Sequence, residues 1–323
     1  MAAALRVLDG VGLSADSLAV EPAWIGTDPA GSRARSHAAS FTEEDRALVA
    51  AADALLLAVD PSGPRLERLL APAPAPGFAR DLAWLLRPLR LTIRFEPCRG
   101  EVGDVVLFGD GGFDPPDAEA RTALLEAAFH YARKHGRRRV GLAVAPAEGA
   151  REARSLVDVA RRVASGVPGV DLEEADVEEL RARASRGGGP RDLDILVAPG
   201  GAWARLEPLL ADAVGGAPVV PRARFGEESA LLEAGCAGSR AAAPPRPERA
   251  CPIAAIRAAA LLCEWLGETG KGARVAAATD ALLREGLPAA PAASESAPGA
   301  PGAPDDALAD WTMDIAVAIV RKF

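Results

Sequence analysis

Lysine is almost missing from this chain. Only Lys134, Lys271 and Lys322 occur among 323 residues, so nearly all the positive charge is guanidinium. Tyrosine occurs once, at Tyr131, and histidine at His37, His130 and His135 only. Any amine, phenol or imidazole that moves protons must come from these few positions. Cysteine is equally sparse: Cys98, Cys236, Cys251 and Cys263 show no paired metal-ligand spacing and read as reduced thiols packed in the interior. No apolar run is long enough to span a bilayer. The start, Met1-Ala2-Ala3-Ala4-Leu5-Arg6, has no basic region followed by an apolar stretch, so no signal peptide is expected and a cytoplasmic location follows by default. Acid exceeds base, and a net charge of −8 with a pI near 5.2 argues against nucleic acid as a main partner.

What is present is globular. The composition is 49% hydrophobic and 25% charged, enough apolar surface for a large core, and the length suggests two domains. Strand and helix patterns alternate, which implies an α/β fold with mostly parallel pairing. The expected elements are a first helix ending at Gly10, a helix opened by Thr42-Glu43-Glu44-Asp45, and a buried strand from Ala54 to Val59. Strands follow at Leu89–Phe95 and Asp104–Phe108, then a helix from Asp117 to His135 and a strand at Arg139–Val144. Arg151–Ser165 reads as a helix, Leu193–Val197 as a strand and Ala202–Val214 as a helix. The acidic run Asp171–Glu179 reads as a solvated helix start. Pro252–Gly267 and Lys271–Glu285 form a helical pair, Leu287–Pro304 is a Pro/Ala/Gly/Ser-rich loop expected to be disordered, and Ala307–Val320 is a closing helix. The Gly-rich segments Arg186–Pro190 and Pro199-Gly200-Gly201 lack a strand–Gly-x-Gly-x-x-Gly–helix pattern and read as turns.

The helix entrance Cys251-Pro252-Ile253-Ala254-Ala255-Ile256 resembles the Asn-Pro-Ile-Ala-Ala-Ile entrance of the isocitrate/isopropylmalate dehydrogenases. Further matches run in order along the chain. Met1–Leu13 is similar to that family's first helix, Ala52-Asp53-Ala54-Leu55-Leu56-Leu57 to an Ala-Asp-Ala-Val-Leu-Leu strand, and Leu86-Arg87-Pro88-Leu89-Arg90 to Leu-Arg-Pro-Val-Arg. Ala128-Phe129-His130-Tyr131-Ala132-Arg133-Lys134-His135-Gly136-Arg137 is similar to Ala-Phe-Glu-Phe-Ala-Arg-Lys-Arg-Gly-Arg. The resemblance implies two α/β domains flanking a cleft, with the family's first strand missing. Residues 1–97 and 216–323 would form a large domain and residues 98–215 a small dimerisation domain. It also implies a dimer built by two small-domain helices per subunit, here about Val177–Ser185 and Ala202–Val214. Trp203, Leu206, Leu210 and Val214 would supply an apolar stripe, which otherwise packs inside its own domain.

The chemistry that the resemblance implies does not match these residues. Such dehydrogenases oxidise a 2-hydroxy acid with NAD or NADP and Mg²⁺ or Mn²⁺, using a lysine, a tyrosine, metal-binding aspartates and substrate arginines. Ala145 stands at the lysine position. Gly109-Asp110-Gly111-Gly112-Phe113 replaces the segment bearing a substrate arginine and the tyrosine, with Phe113 as an apolar remnant. Two metal aspartates correspond to Ala204 and Pro208, with Glu207 between them, and a third corresponds to Asp176. Tyr131 and Lys134 share a helical side as a conceivable relocated acid pair, against the plainer reading of an ordinary helix surface. The cofactor loop is replaced by Gly235–Arg249, which lacks the family's His-Gly-Ser-Ala-Pro-Asp. Arg80, Arg87 and Arg90 survive as substrate-type residues, able to bind a carboxylate or phosphate, or else are strand-edge arginines paired to acids. The expectation is a non-catalytic subunit or scaffold, with no cofactor, working as a homodimer or as a heterodimer with a related dehydrogenase. The alternatives are a dehydrogenase with a rebuilt site and a small-anion binding protein.

Overall fold

The computed structural model describes residues 1–13, 18–20, 47, 51–57, 90–95, 105–109, 118–144, 150–184, 192–199, 201–213, 219–225, 230–234, 251–289 and 304–323. The chain divides into two compact units, Met1–Arg87 with Gly226–Phe323, and Pro88–Phe225. The sequence places the divisions at 97/98 and 215/216. The shift has a simple cause: the strands at 90–95 and 221–225 hydrogen-bond to each other and extend the sheet of the middle unit.

The first unit opens with α1 (Ala2–Gly10) and β1 (Ala54–Leu57). The buried face of α1 is Ala3, Ala4, Val7 and Leu8, the three- and four-residue spacing of an amphipathic helix. The expected helix around 42–52 lies outside the described residues except for 47, 51 and 52, of which the first two are helical and Ala52 is not. Ala54, Leu55 and Leu56 are half-buried rather than fully buried.

The middle unit is an α/β/α sandwich. Its elements are β2 (Arg90–Phe95), β3 (Val105–Gly109), α2 (Ala118–Lys134), β4 (Arg139–Val144), α3 (Ala150–Ser165), β5 (Asp171–Asp176), α4 (Val177–Ala184), β6 (Ile195–Val197), α5 (Gly201–Ala213) and β7 (Pro221–Phe225). The strands lie in the order β7-β2-β3-β6-β4-β5. Strands β3, β6, β4 and β5 are parallel, and β2 is antiparallel to both β3 and β7. Register puts Val106, Phe108, Ile195, Val197, Val140 and Leu142 on one face, where they pack with Leu125, Phe129 and Ala132 of α2 and Leu156 and Ala160 of α3.

The other face carries α5. Gly109 makes this possible: a Cβ there would lie 1.9 Å from the Trp203 ring. Trp203, Leu206 and Leu210 are buried inside this single chain, so the stripe is not an exposed seam awaiting a partner; Val214 lies outside the described residues. The acidic run 171–179 is a strand followed by a helix, not a helix start alone. Parallel pairing with β4 holds Asp171–Asp176 extended, and Asp176 Oδ1 accepts the backbone N–H of Glu178 (2.7 Å) and Glu179 (3.1 Å) to cap α4. The sequence reading misses β7 and β8 (Ala230–Ala234), two short strands between Gly/Pro-rich segments.

β8 pairs parallel with β1, again in the first unit, and α6 (Ile253–Trp265) packs on it. α7 (Thr269–Glu285) lies against α6 with its backbone close at Gly272, where a Cβ would come within 2.7 Å of the Ala260 carbonyl oxygen. α8 (Pro304–Val320) packs on α1 and α7, and Trp311 Nε1 donates to the Pro288 carbonyl at 3.0 Å. The helix begins at Pro304 rather than Ala307, as suits a proline whose N–H is not needed at a helix start. Of the loop expected over 287–304, residues 290–303 lie outside the described residues. No described helix is long and apolar enough to cross a membrane.

Two expectations follow. Gly109→Ala should cost about 1–3 kcal/mol in denaturant unfolding, because the added methyl must displace a buried indole. Leu206→Asp together with Leu210→Asp should lower or abolish the unfolding transition rather than convert a folded dimer to a folded monomer. A stable double variant with altered sedimentation would contradict this packing.

Candidate functional site

In parallel sheets, ligands gather beyond the carboxyl ends of the strands. In the middle unit those ends are Gly109 of β3, Val144 of β4, Asp176 of β5 and Val197 of β6, the last leading through Ala198 and Pro199 to the start of α5. Residues 110–113 and 145–147, which follow β3 and β4, lie outside the described residues, as do Arg80, Arg87 and the loop at 235–249. Arg90 opens β2 opposite Phe225. The same two-strand ladder carries Arg94, Arg222 and Arg224, a density of guanidinium that no other described strand pair approaches.

α5 is the helix on which the resemblance would place two metal carboxylates. Ala204 and Pro208 lie four apart on it, a spacing that puts them on one side, and neither bears an oxygen ligand. Pro208 also brings no N–H to the helix and is exposed. The one carboxylate beside it, Glu207, receives Arg222 Nη2 at 2.6 Å, with side-chain exposures of 13% and 18%. At that burial the two charges stabilise each other, and Glu207 is engaged in an ion pair that ties α5 to β7. Asp176 is already occupied as the cap of α4. Among the described residues no three His, Cys, Asp or Glu side chains converge as metal ligands. The described donors, Glu207 in its ion pair and Asp176 as a cap, do not by themselves supply the roughly six oxygens that a hard divalent cation takes.

The relocated pair fares no better. Tyr131 stacks on His135 with ring centroids 4.0 Å apart and meets the edge of Phe108 at 5.5 Å. Lys134 is exposed in the last turn of α2. Helices in a parallel α/β sheet run back against the strands, so this turn lies at the strand N-terminal end, away from the carboxyl ends. The remaining lysines are held elsewhere: Lys271 meets Glu268 at 3.2 Å, and Lys322 meets Glu285 at 2.6 Å.

In the other unit the entrance of α6 is built as its sequence suggests. Pro252 is the N-cap, its carbonyl accepts the Ile256 N–H at 2.9 Å, and residues from Ile253 to Leu261 are buried. Arg257 interrupts this apolar helix. It is 5% exposed and reaches Asp280 of α7 at 2.5 Å. Glu233 of β8 is a second buried charge, 2% exposed, on the strand against which α6 packs. An arginine inside an otherwise aliphatic helix is the sequence signal for the Arg257–Asp280 pair. Burial pushes the Cys251 thiol up, against smaller opposing effects of the Ile253 backbone and Arg257. Burial likewise pushes Cys263 up, to about 11.

No protein-family model matches the chain, and no curated protein matches it. Solved structures do. Isocitrate dehydrogenase from Methylococcus capsulatus aligns with a TM-score of 0.68 at 18% identity, over 99% of this chain and 94% of that one. The TT0538 protein from Thermus thermophilus aligns with a TM-score of 0.69 at 17% identity, over 99% of this chain but only 64% of its own. The chain therefore has the isocitrate dehydrogenase fold.

The thiols give a direct test. A thiol with a raised pKa stays protonated, so Cys251 and Cys263 should alkylate slowly at about pH 8 in the native protein and rapidly in denaturant. The linkage has a definite sign. Stability is fully retained below the ordinary thiol value near 9 and falls as pH rises from there towards about 11, because only the unfolded thiol ionises readily in that window. Peptide mapping that finds Cys263 alkylated as fast natively as in denaturant would contradict this burial.

Proposed function

We propose that this chain is a catalytically degenerate protein on the isocitrate dehydrogenase fold that serves as a non-catalytic subunit or scaffold. The Glu207–Arg222 pair carries the reading: the carboxylate nearest the expected metal-ligand positions is committed to an arginine of its own unit. Ala204 and Pro208 then leave the helix without a metal ligand. The sequence adds that the positions assigned to the proton-transfer lysine and tyrosine hold Ala145 and Phe113. Such groups act together in the transition state, and losing several removes most of the acceleration. The partner in this reading is a second copy or a related dehydrogenase.

One observation favours a second reading. Arg90 and Arg94 share one face of β2 by register, with Arg87 just before them in sequence, and such a set suits a small carboxylate or phosphate ligand. A working dehydrogenase with a rebuilt site would instead need a base and at least two convergent carboxylates.

One set of measurements separates the three. Purified protein with NAD⁺ or NADP⁺, Mg²⁺ or Mn²⁺, and isocitrate, isopropylmalate or malate should produce no reduced cofactor above an Arg87→Ala control. Mn²⁺ should leave the melting temperature unchanged. Metal-dependent turnover well above that control would remove the subunit reading. A melting shift with citrate or phosphate, abolished by Arg87→Ala with Arg90→Ala, would favour the anion reading.

A further inference from the structure

Positive charge collects at the end of the middle unit opposite the strand carboxyl ends. Because β4 and its neighbours are parallel, the last turns of α2 and α3 meet the start of β4 there. Arg133 and Lys134 close α2, Arg162 lies in the last turn of α3, and Arg138 immediately precedes β4. All four are exposed, and none of these side chains has an ion-pair partner among the described residues.

The surface beneath them is fixed. Asp194 Oδ2 accepts the backbone N–H of Arg138 (2.8 Å) and Arg139 (3.0 Å), and Arg137 Nη1 donates to the Asp194 carbonyl at 3.1 Å. Arg139 is bound to Glu173 at 2.9 Å. Gly136, at φ +65°, makes the turn. Asp194 and Glu173 are thus consumed in holding the turn, and Asp171 is the exposed acid beside Arg138, its N–H bonded to the Arg138 carbonyl at 2.6 Å. A charged ligand would find the cations already in place, with little loop ordering to oppose binding. Cations favour helix C-termini, which accounts for the sign of Arg133, Lys134 and Arg162. It does not account for Arg138, which belongs to no helix, nor for four cations at one end of the unit without ion-pair partners among the described residues.

We infer that this corner is a docking surface for an acidic segment of a protein partner. Three of the four groups are guanidinium, which grips carboxylates in a bidentate fashion. A chain of net charge −8 repels a long polyanion such as nucleic acid, whereas a few carboxylates at contact feel only the charges within a Debye length of ~8 Å. Nothing among the described residues of this corner offers a base-stacking platform, since Tyr131 is already stacked on His135. Nothing offers a membrane wedge either: the exposed large hydrophobic residues among those described are Met1, Val20 and Leu266, all in the other unit. The inference deepens the subunit reading by giving its partner a chemistry, and it rests on that reading for the partner's existence.

The test uses the full chain and a dye-labelled oligoglutamate peptide, followed by fluorescence anisotropy at low and high salt. Saturable binding at low salt should weaken at least about tenfold in Arg133→Gln/Lys134→Gln/Arg138→Gln, as loss of three exposed ion pairs implies. Arg181→Gln/Arg183→Gln on α4 should bind like the parent, and circular dichroism should show both variants folded. Absence of saturable binding, equal binding by the triple variant, or tighter binding of a single-stranded oligonucleotide or of phosphatidylserine vesicles would each overturn the inference. Turnover in the dehydrogenase assay would remove the subunit reading while leaving the peptide result to stand or fall on its own.

Discussion

The cost of taking charge out of water governs the interior of this protein. An ionised group pays several kcal/mol to leave solvent, and it stays charged inside only beside an opposite charge. Arg257 with Asp280 and Arg222 with Glu207 are the two described pairs in which guanidinium penetrates deeply. Each pair joins two elements: α6 to α7 in one unit, α5 to β7 in the other. These pairings hold neighbouring elements in register, and they also consume the carboxylates that other chemistry would need.

That dual role explains how the fold and the resemblance to active enzymes can part company. A fold rests on many interchangeable apolar contacts, and cores tolerate wide substitution when volume and pattern are kept. The middle unit keeps its pattern: an aliphatic sheet with α2 and α3 on one face and α5 seated on Gly109 on the other. A metal site depends instead on a few oxygens at fixed places, and nothing in the packing maintains them. Architecture alignable over 99% of the chain can therefore persist at 18% identity.

Much of the architecture is legible in the sequence because its elements are long and periodic. The helices at 118–134, 150–165 and 269–285, and the strand at 139–144, fall within a residue or two of where their patterns put them. The failures have particular causes. β7 reads Pro-Arg-Ala-Arg-Phe, whose charge hides a strand that antiparallel pairing with β2 holds in place. β8 reads Ala-Leu-Leu-Glu-Ala, residues that favour a helix, and parallel pairing with β1 makes it a strand. In the run 171–176 local charge favours a helix start, and parallel pairing with β4 overrides it. The stripe on α5 reads as apolar, but its pattern does not name its target. Periodicity reports that a face is buried without saying against what, and here Gly109 lets the chain cover that face itself.

The site is legible in a different sense. Sequence names the missing groups by position, but it does not show what the remaining ones do. Glu207 reads as a stray carboxylate and is half of a buried pair; Asp176 reads as a displaced ligand and is a helix cap. Tyr131 and Lys134 read as neighbours on one face, yet one ring is stacked on His135 while the other side chain stands in water. For Glu207 the deciding group is distant in sequence; for Asp176 and Tyr131 it is close by but set in place by the backbone. Absence of a reactive residue can be read from sequence because it needs no partner. The function of a residue that is present depends on what the fold brings beside it. In this chain the fold brings arginine to Glu207 and helix N–H groups to Asp176, and so turns two candidate ligands into structural contacts.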